Sequence, residues 1–278
     1  MDIGLLTAPF GSRSLESIIE FAQGAGFGAL EVAVGPGSAQ LDTNSLTAAR
    51  AAEIKRALAA ADLRISSLAW YTNLLVPGKD ARAQASKDMR NVIKAAAMLD
   101  VDVVCTMAGM PMPDKDRTRT IAEDMPGVFK PLAKFAAEKN IKLAFENWTA
   151  TNIRNLADWQ QVFEVLPEPN VGLNFDPSHL YWQGIDYLEA VERFKDRIFH
   201  THAKDTEVRQ HDLRWLGNQS GGWWRYVIPG YGDIDWGVFI ARLRRVGYNG
   251  VLSIEHEDGA FGVEEGFIKG QRHLARFA

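Results

Sequence analysis

The chain has 278 residues, 46% hydrophobic and 24% charged, with a formal net charge of -4 and a single cysteine. That length and apolar content suffice for a large buried core, and the mildly acidic balance lacks the basic stripe that phosphate neutralisation needs, which excludes nucleic acid as the expected partner. Cys105 has no mate for a disulfide, and the sequence shows neither a basic, signal-like start nor an apolar run of bilayer length, so a cytoplasmic protein without membrane contact is expected.

In chain order, apolar β-rich runs alternate with helical periodicity. The first strand is predicted over residues 3–8; Ser14 then serves as N-cap to a helix whose Leu15, Ile18, Ile19 and Ala22 share one face, with Gly26 near its C-cap. Strand 29–34 precedes helix 46–62, strand 64–70 precedes helix 82–99, strand 103–107 precedes helix 121–139, and strand 142–147 precedes helix 155–166. Strand 171–176 is followed by helix 186–197, and strand 198–203 by a long connection over 205–235 and then helix 236–246. Strand 251–256 and helix 263–277 complete the pattern. Eight strand and helix pairs in strict alternation predict a (β/α)8 TIM barrel formed by one domain, residues 1–278. A doubly wound open sheet is the runner-up, disfavoured because no glycine-rich phosphate fingerprint follows the first strand. AGFGALEV and VGYNGVLSIE echo one another as a glycine turn and a strand ending in an acid.

The 205–235 connection exceeds the usual length of a structureless loop and carries Trp215, Trp223, Trp224, Tyr226 and Tyr231. Such a segment reads as a lid or binding loop, and residues 206–235 are the candidate surface for a homo-oligomer, dimer or tetramer, or for a partner subunit.

Four polar residues end the last four barrel strands: Glu146 in LAFEN, Asp176 in GLNFDPSH, His202 in FHTHAKD and Glu255 in LSIEHED. Any one of these acids alone reads more readily as a helix cap or a surface ion pair. Together they lie at the face where barrels build active sites. Strand alternation places Ala144, Asn174, His200 and Ser253 directly beneath them, and sends Phe145, Phe175 and Ile254 toward the helices. Three carboxylates and one imidazole suit one divalent ion, Mn²⁺ first and Mg²⁺ or Co²⁺ as alternatives, better than a structural zinc. Cys105, in an apolar run, reads as a buried core thiol.

With the motifs FEN, DPSH, HAKD, PGYGDIDW and SIEH, the chain resembles the xylose isomerase-like barrels over nearly its whole length. These include sugar epimerases and isomerases, inosose dehydratases and an apurinic endonuclease branch. The resemblance implies Glu146, Asp176, His202 and Glu255 as metal ligands and His179 of DPSH as a substrate-contacting histidine. It also implies an arginine soon after the metal histidine, for which Arg209 is the nearest match, with Lys204 and Asp205 as alternatives. PGYGDIDW matches the entry to the seventh helix.

The chemistry implied is metal-assisted formation of an enediolate from a keto-sugar or polyol, with Glu146 and Glu255 as the proton-transfer pair, and hence isomerisation or epimerisation. Substrate contacts are expected from His179, Lys204, Arg209, Trp223 and Trp224, the tryptophans offering faces to a sugar ring. A lyase or dehydratase acting on an inosose or a 3-keto-glycoside through the same site is the alternative. The endonuclease branch is disfavoured because its additional histidine ligands have no counterpart in ISSLAWY or VVCTMAG. A barrel that binds a sugar without chemistry is a third reading.

Overall fold

The computed structural model describes all 278 residues, Met1–Ala278. Ten strands form in chain order: β1 Asp2–Leu6, β2 Ala29–Ala33, β3 Arg64–Trp70, β4 Val103–Met107, β5 Lys142–Glu146, β6 Val171–Phe175, β7 Ile198–Ala203, β8 Asp205–Val208, β9 Trp224–Val227 and β10 Val251–Ile254. Eight of them close a barrel in the order β1-β10-β7-β6-β5-β4-β3-β2, every pairing parallel. This is the (β/α)8 TIM barrel that the alternation of elements predicts. The remaining two, β8 and β9, pair antiparallel as a separate ribbon.

Period-two alternation decides what each strand presents. Phe145 and Phe175 are fully buried on the helix side, against Phe129 at 4.8 Å and Trp159 at 5.7 Å between ring centroids. On the inside, the register sets Glu146 opposite Asn174, Asn174 opposite His200, and His202 opposite Ser253. Small side chains fill one sector of the barrel interior, where Cys105 packs with Ala69, Val103, Ala144 and Leu6 as a free, buried thiol. Gly172 has a packing reason, since a Cβ there would collide with the Arg197 carbonyl and the Phe199 ring.

The helices follow the expected sites, with helix 186–197 shortened to Tyr187–Arg193 before a 3-10 turn at Lys195–Arg197, an added short helix Ser178–Tyr181, and two larger changes. The predicted helix 121–139 is two helices, Arg117–Glu123 and Met125–Ala137. Asp116 caps the first through Arg119 N at 2.8 Å, and Pro126 opens the second, where a missing N–H costs nothing. The first helix, Leu15–Gly24, is capped by Ser14 as its sequence indicates. No helix is long and apolar enough to cross a membrane.

The second change concerns 205–235, expected as a structureless loop. It contains the β8–β9 ribbon and a short helix, Gln210–Leu216. Asp205 organises its return: the carboxylate accepts N–H groups from Thr206, Gly230, Gly232, Ile234 and the Trp236 indole, at 2.8, 3.0, 3.3, 3.1 and 2.9 Å. Gly232 fits because a Cβ there would strike Asp205 Oδ1. Asp235 then caps helix Trp236–Arg245 by accepting from Val238 N at 3.0 Å.

Candidate metal centre

Glu146, Asp176, His202 and Glu255 are all buried, and one ligand atom from each lies within 4.8 Å of the others. His202 Nδ1 is 3.1 Å from Glu255 Oε2 and 3.4 Å from Glu146 Oε1. The orientation of that imidazole is set from below. Its Nε2 lies 3.0 Å from Glu31 Oε2, so the ring donates there and turns Nδ1 toward the other three. Glu31 itself accepts from the Tyr71 hydroxyl at 2.6 Å and from Ser253 Oγ at 2.7 Å. Burial opposes the Glu31 charge, but His202 and His200 beside it and its hydrogen bonds hold the carboxyl at a pKa of about 2.

Asn174 extends this floor, donating to Tyr71 at 2.8 Å and meeting His200 Nδ1 at 2.9 Å. Burial pushes His200 down to a pKa of about 4, so it is a neutral supporting group. The layer predicted beneath the quartet is therefore present, and its charged member, Glu31, comes from β2.

The donor set fits a divalent cation. Asp176 Oδ2 and His202 Nδ1 are buried and lack hydrogen-bond partners, and both face the cluster. A bare imidazole nitrogen beside carboxylate oxygens is repulsive until a cation or a proton lies between them. Without an ion, burial disfavours charge on His202, yet Glu31, Glu255 and Glu146 together raise its pKa well above the ordinary value.

Lys204 supplies one fixed cation. It is 1% exposed, and its Nζ lies 2.6 Å from Glu255 Oε2, 3.2 Å from Asp176 Oδ2 and 3.4 Å from Glu257 Oε2. Burial works against its charge, but these carboxylates, Glu255 foremost, hold its pKa well above the usual range. Against burial, the hydrogen bond from His179 and the charges of His202 and Lys204 keep Glu146 well below the ordinary carboxylate range.

Above the cluster is a cavity of about 280 Å³, walled by Glu146, Glu255, Glu257, His179 and Lys204. Tyr71 and Met107 stand at the ends of β3 and β4, where an endonuclease would place histidines, and Trp148 and Tyr226 complete the wall. His179 Nε2 lies 3.4 Å from both Glu146 Oε1 and Asp176 Oδ2.

Three expected substrate contacts are not brought to this wall. Arg209 is half exposed and bonds the Gly222 carbonyl and Asp212, because it begins the outer helix of the insertion. Trp223 is buried with its indole N–H on the Ser220 carbonyl at 2.6 Å, and Trp224 stacks on Trp182 at 4.3 Å. They build the insertion, and the aromatic residue that reaches the cavity is Tyr226. Asp205 likewise turns away from the site to hold the 230–236 turn. Glu31, Tyr71 and Tyr226 escaped sequence reasoning; only the LEV and SIE echo pointed toward Glu31.

A family model described as xylose isomerase-like TIM barrel matches residues 19–277. The uncharacterised protein YfiH of Bacillus subtilis (strain 168) is 26% identical over 302 residues, 96% of each chain. An inosose dehydratase of Clostridium perfringens is 26% identical over 223 residues, 73% of each chain. Among solved structures, the IOLI protein with a bound zinc atom superposes with a TM-score of 0.78 at 17% identity, covering 100% of this chain and 99% of that one. The match to the family model leaves out only residues 1–18, which hold β1 and the start of the first helix, and the last residue, and the chain belongs to the xylose isomerase-like TIM barrel family.

Proposed function

We propose that this protein is a divalent-metal-dependent isomerase or epimerase of an unphosphorylated keto-sugar or related polyol, with Glu146 and Glu255 as its proton-transfer pair. One observation carries the reading: of the four residues in the cluster, Glu146 and Glu255 form the cavity wall, whereas Asp176 and His202 lie beneath it. An ion held by the four would polarise a carbonyl oxygen and acidify the neighbouring C–H. Mn²⁺ fits the carboxylate-rich set first, with Mg²⁺ and Co²⁺ next; the zinc of the IOLI protein marks a further candidate.

Asp176 and His202 act as anchors. Glu146, kept ionised by His179 and His202, takes the proton from the substrate carbon. Glu255, on its own part of the wall and hydrogen-bonded to Lys204 at 2.6 Å, enters the cycle carrying the proton that it returns, and the proton taken by Glu146 is released before the next turnover. Return to the opposite face of the same carbon inverts it; return to the adjacent carbon moves the carbonyl. A cavity of about 280 Å³ suits one sugar ring, with Trp148 as an aromatic surface. Lys204 is already engaged by carboxylates, which leaves no free cation in the wall for a phosphate.

A second reading, elimination from an inosose or a 3-keto-glycoside, is favoured by the likeness to an inosose dehydratase. Incubation with Mn²⁺ in D₂O with a 2-ketohexose, an inosose and a 3-keto-glucoside separates the two. Deuterium at the carbon beside the ketone together with an epimer or isomer supports the first. Loss of water or of the aglycone replaces it with the second. No exchange into any of the three by metal-loaded protein defeats both.

A further inference from the structure

The β8–β9 ribbon delivers one side chain, Tyr226, to the cavity wall. Its hydroxyl has two partners: the Trp182 indole Nε1 at 3.3 Å and His179 Nδ1 at 2.6 Å. An indole N–H only donates, so the Tyr226 oxygen accepts from Trp182. The phenol proton is then left to find an acceptor, and the nitrogen at 2.6 Å is the one in reach. With Nδ1 accepting, a neutral imidazole carries its proton on Nε2.

The far side of the ring agrees. His179 Nε2 is 3.4 Å from Glu146 Oε1 and 3.4 Å from Asp176 Oδ2, both acceptors. Lys204 Nζ, 3.3 Å from Nε2, prefers the opposite tautomer. That preference is outweighed, because Lys204 has a much nearer hydrogen-bond acceptor at 2.6 Å on Glu255, and its charge is also met by Asp176 and Glu257. The opposite tautomer would also turn a second donor onto the Tyr226 oxygen and leave the half-buried phenol proton without a protein acceptor.

We propose that Tyr226, itself held by Trp182, is a positioning residue that locks His179 as its Nε2–H tautomer, so that His179 meets a substrate oxygen as a hydrogen-bond donor and is neither a base nor a metal ligand. The donor role rests on the proposed sugar chemistry; the lock rests on the hydrogen bonds alone. The inserted ribbon thereby acts on the barrel's chemistry through one side chain.

The test is the tautomer itself, read from ring ¹⁵N and carbon-bound ¹H correlations of histidine-labelled protein with Mg²⁺ present, since paramagnetic Mn²⁺ would broaden the site. The His179 signals are assigned by their loss in His179→Gln, at a pH where imidazoles are neutral. The wild-type protein is expected to show the Nε2–H pattern at His179, and Tyr226→Phe to shift it toward Nδ1–H or a mixture. An Nδ1–H pattern in the wild type overturns the proposal without need of any variant, as does a pattern that Tyr226→Phe leaves unchanged. In the D₂O assay, Tyr226→Phe should slow exchange about tenfold. A wild type with the Nε2–H pattern but no exchange into any sugar would remove the sugar reading and leave the lock standing.

Discussion

Glu31 Oε2 stands 3.0 Å from His202 Nε2, and this contact decides which imidazole nitrogen is left for a cation. The carboxylate is fully buried and takes three donors, from His202, Tyr71 and Ser253. Glu31→Gln replaces an acceptor with a group whose N–H₂ must face one of those donors. Metal affinity is expected to fall about 10- to 100-fold, the usual cost of losing a group that orients a metal histidine. Titration of the metal-free protein with Mn²⁺ measures this, and an unchanged dissociation constant would remove Glu31 from the site's design.

The division between wall and floor makes a second prediction. Glu146→Gln and Glu255→Gln should each lower kcat about 10²- to 10⁴-fold, the range for losing a positioned acid or base. Because each also removes a ligand charge, metal content must be measured beside activity. Asp176→Asn, which alters an anchor, should instead act through occupancy and recover part of its activity at high Mn²⁺. Elemental analysis and the D₂O exchange assay together tell a lost ligand from a lost base.

The clustering of Glu146, Asp176, His202 and Glu255 was legible in the sequence because each ends a strand of a countable series, and period-two alternation told which residues lay beneath them. Glu31 was not, since the echo of LEV and SIE marks an acid without a role, and it acquires one only when β2 and β7 face each other across the barrel. The 205–235 segment was opaque for another reason. Its strands are four residues each and follow no periodicity, so the aromatic cluster indicated binding without showing that Tyr226 points inward while Trp223 and Trp224 support it. Asp205 adjoins Lys204, yet only the folded return of Gly230 to Trp236 reveals its partners.

That return gives a third prediction. Asp205→Ala strands five N–H donors, at Thr206, Gly230, Gly232, Ile234 and the Trp236 indole. The loss should be about 3 kcal/mol or more, since hydrogen bonds to a charged group are the costlier ones to lose. Hydrogen exchange at the Gly230, Gly232 and Ile234 amides should rise well before that of β5 and β6. Uniform acceleration across the barrel would instead mean that Asp205 serves global stability and not the insertion.

Lys204 provides the last prediction, because it divides the metal-free protein from the loaded one. Its ammonium lies among Glu255, Asp176 and Glu257 at 2.6, 3.2 and 3.4 Å, with Glu146 at 3.9 Å. Lys204→Met leaves those carboxylates without their fixed cation, and breaking a buried ion pair from one side costs about 3–5 kcal/mol. In chelator the melting temperature should therefore drop by roughly ten degrees, given the few degrees that each kcal/mol moves a chain of this size. Excess Mn²⁺ should restore more stability to the variant than to the wild type, since the ion then supplies charge that nothing else provides. Lys204→Arg, which keeps the charge, should fall between them. Equal metal-induced shifts in all three proteins would show that Lys204 does not share the cage with the ion.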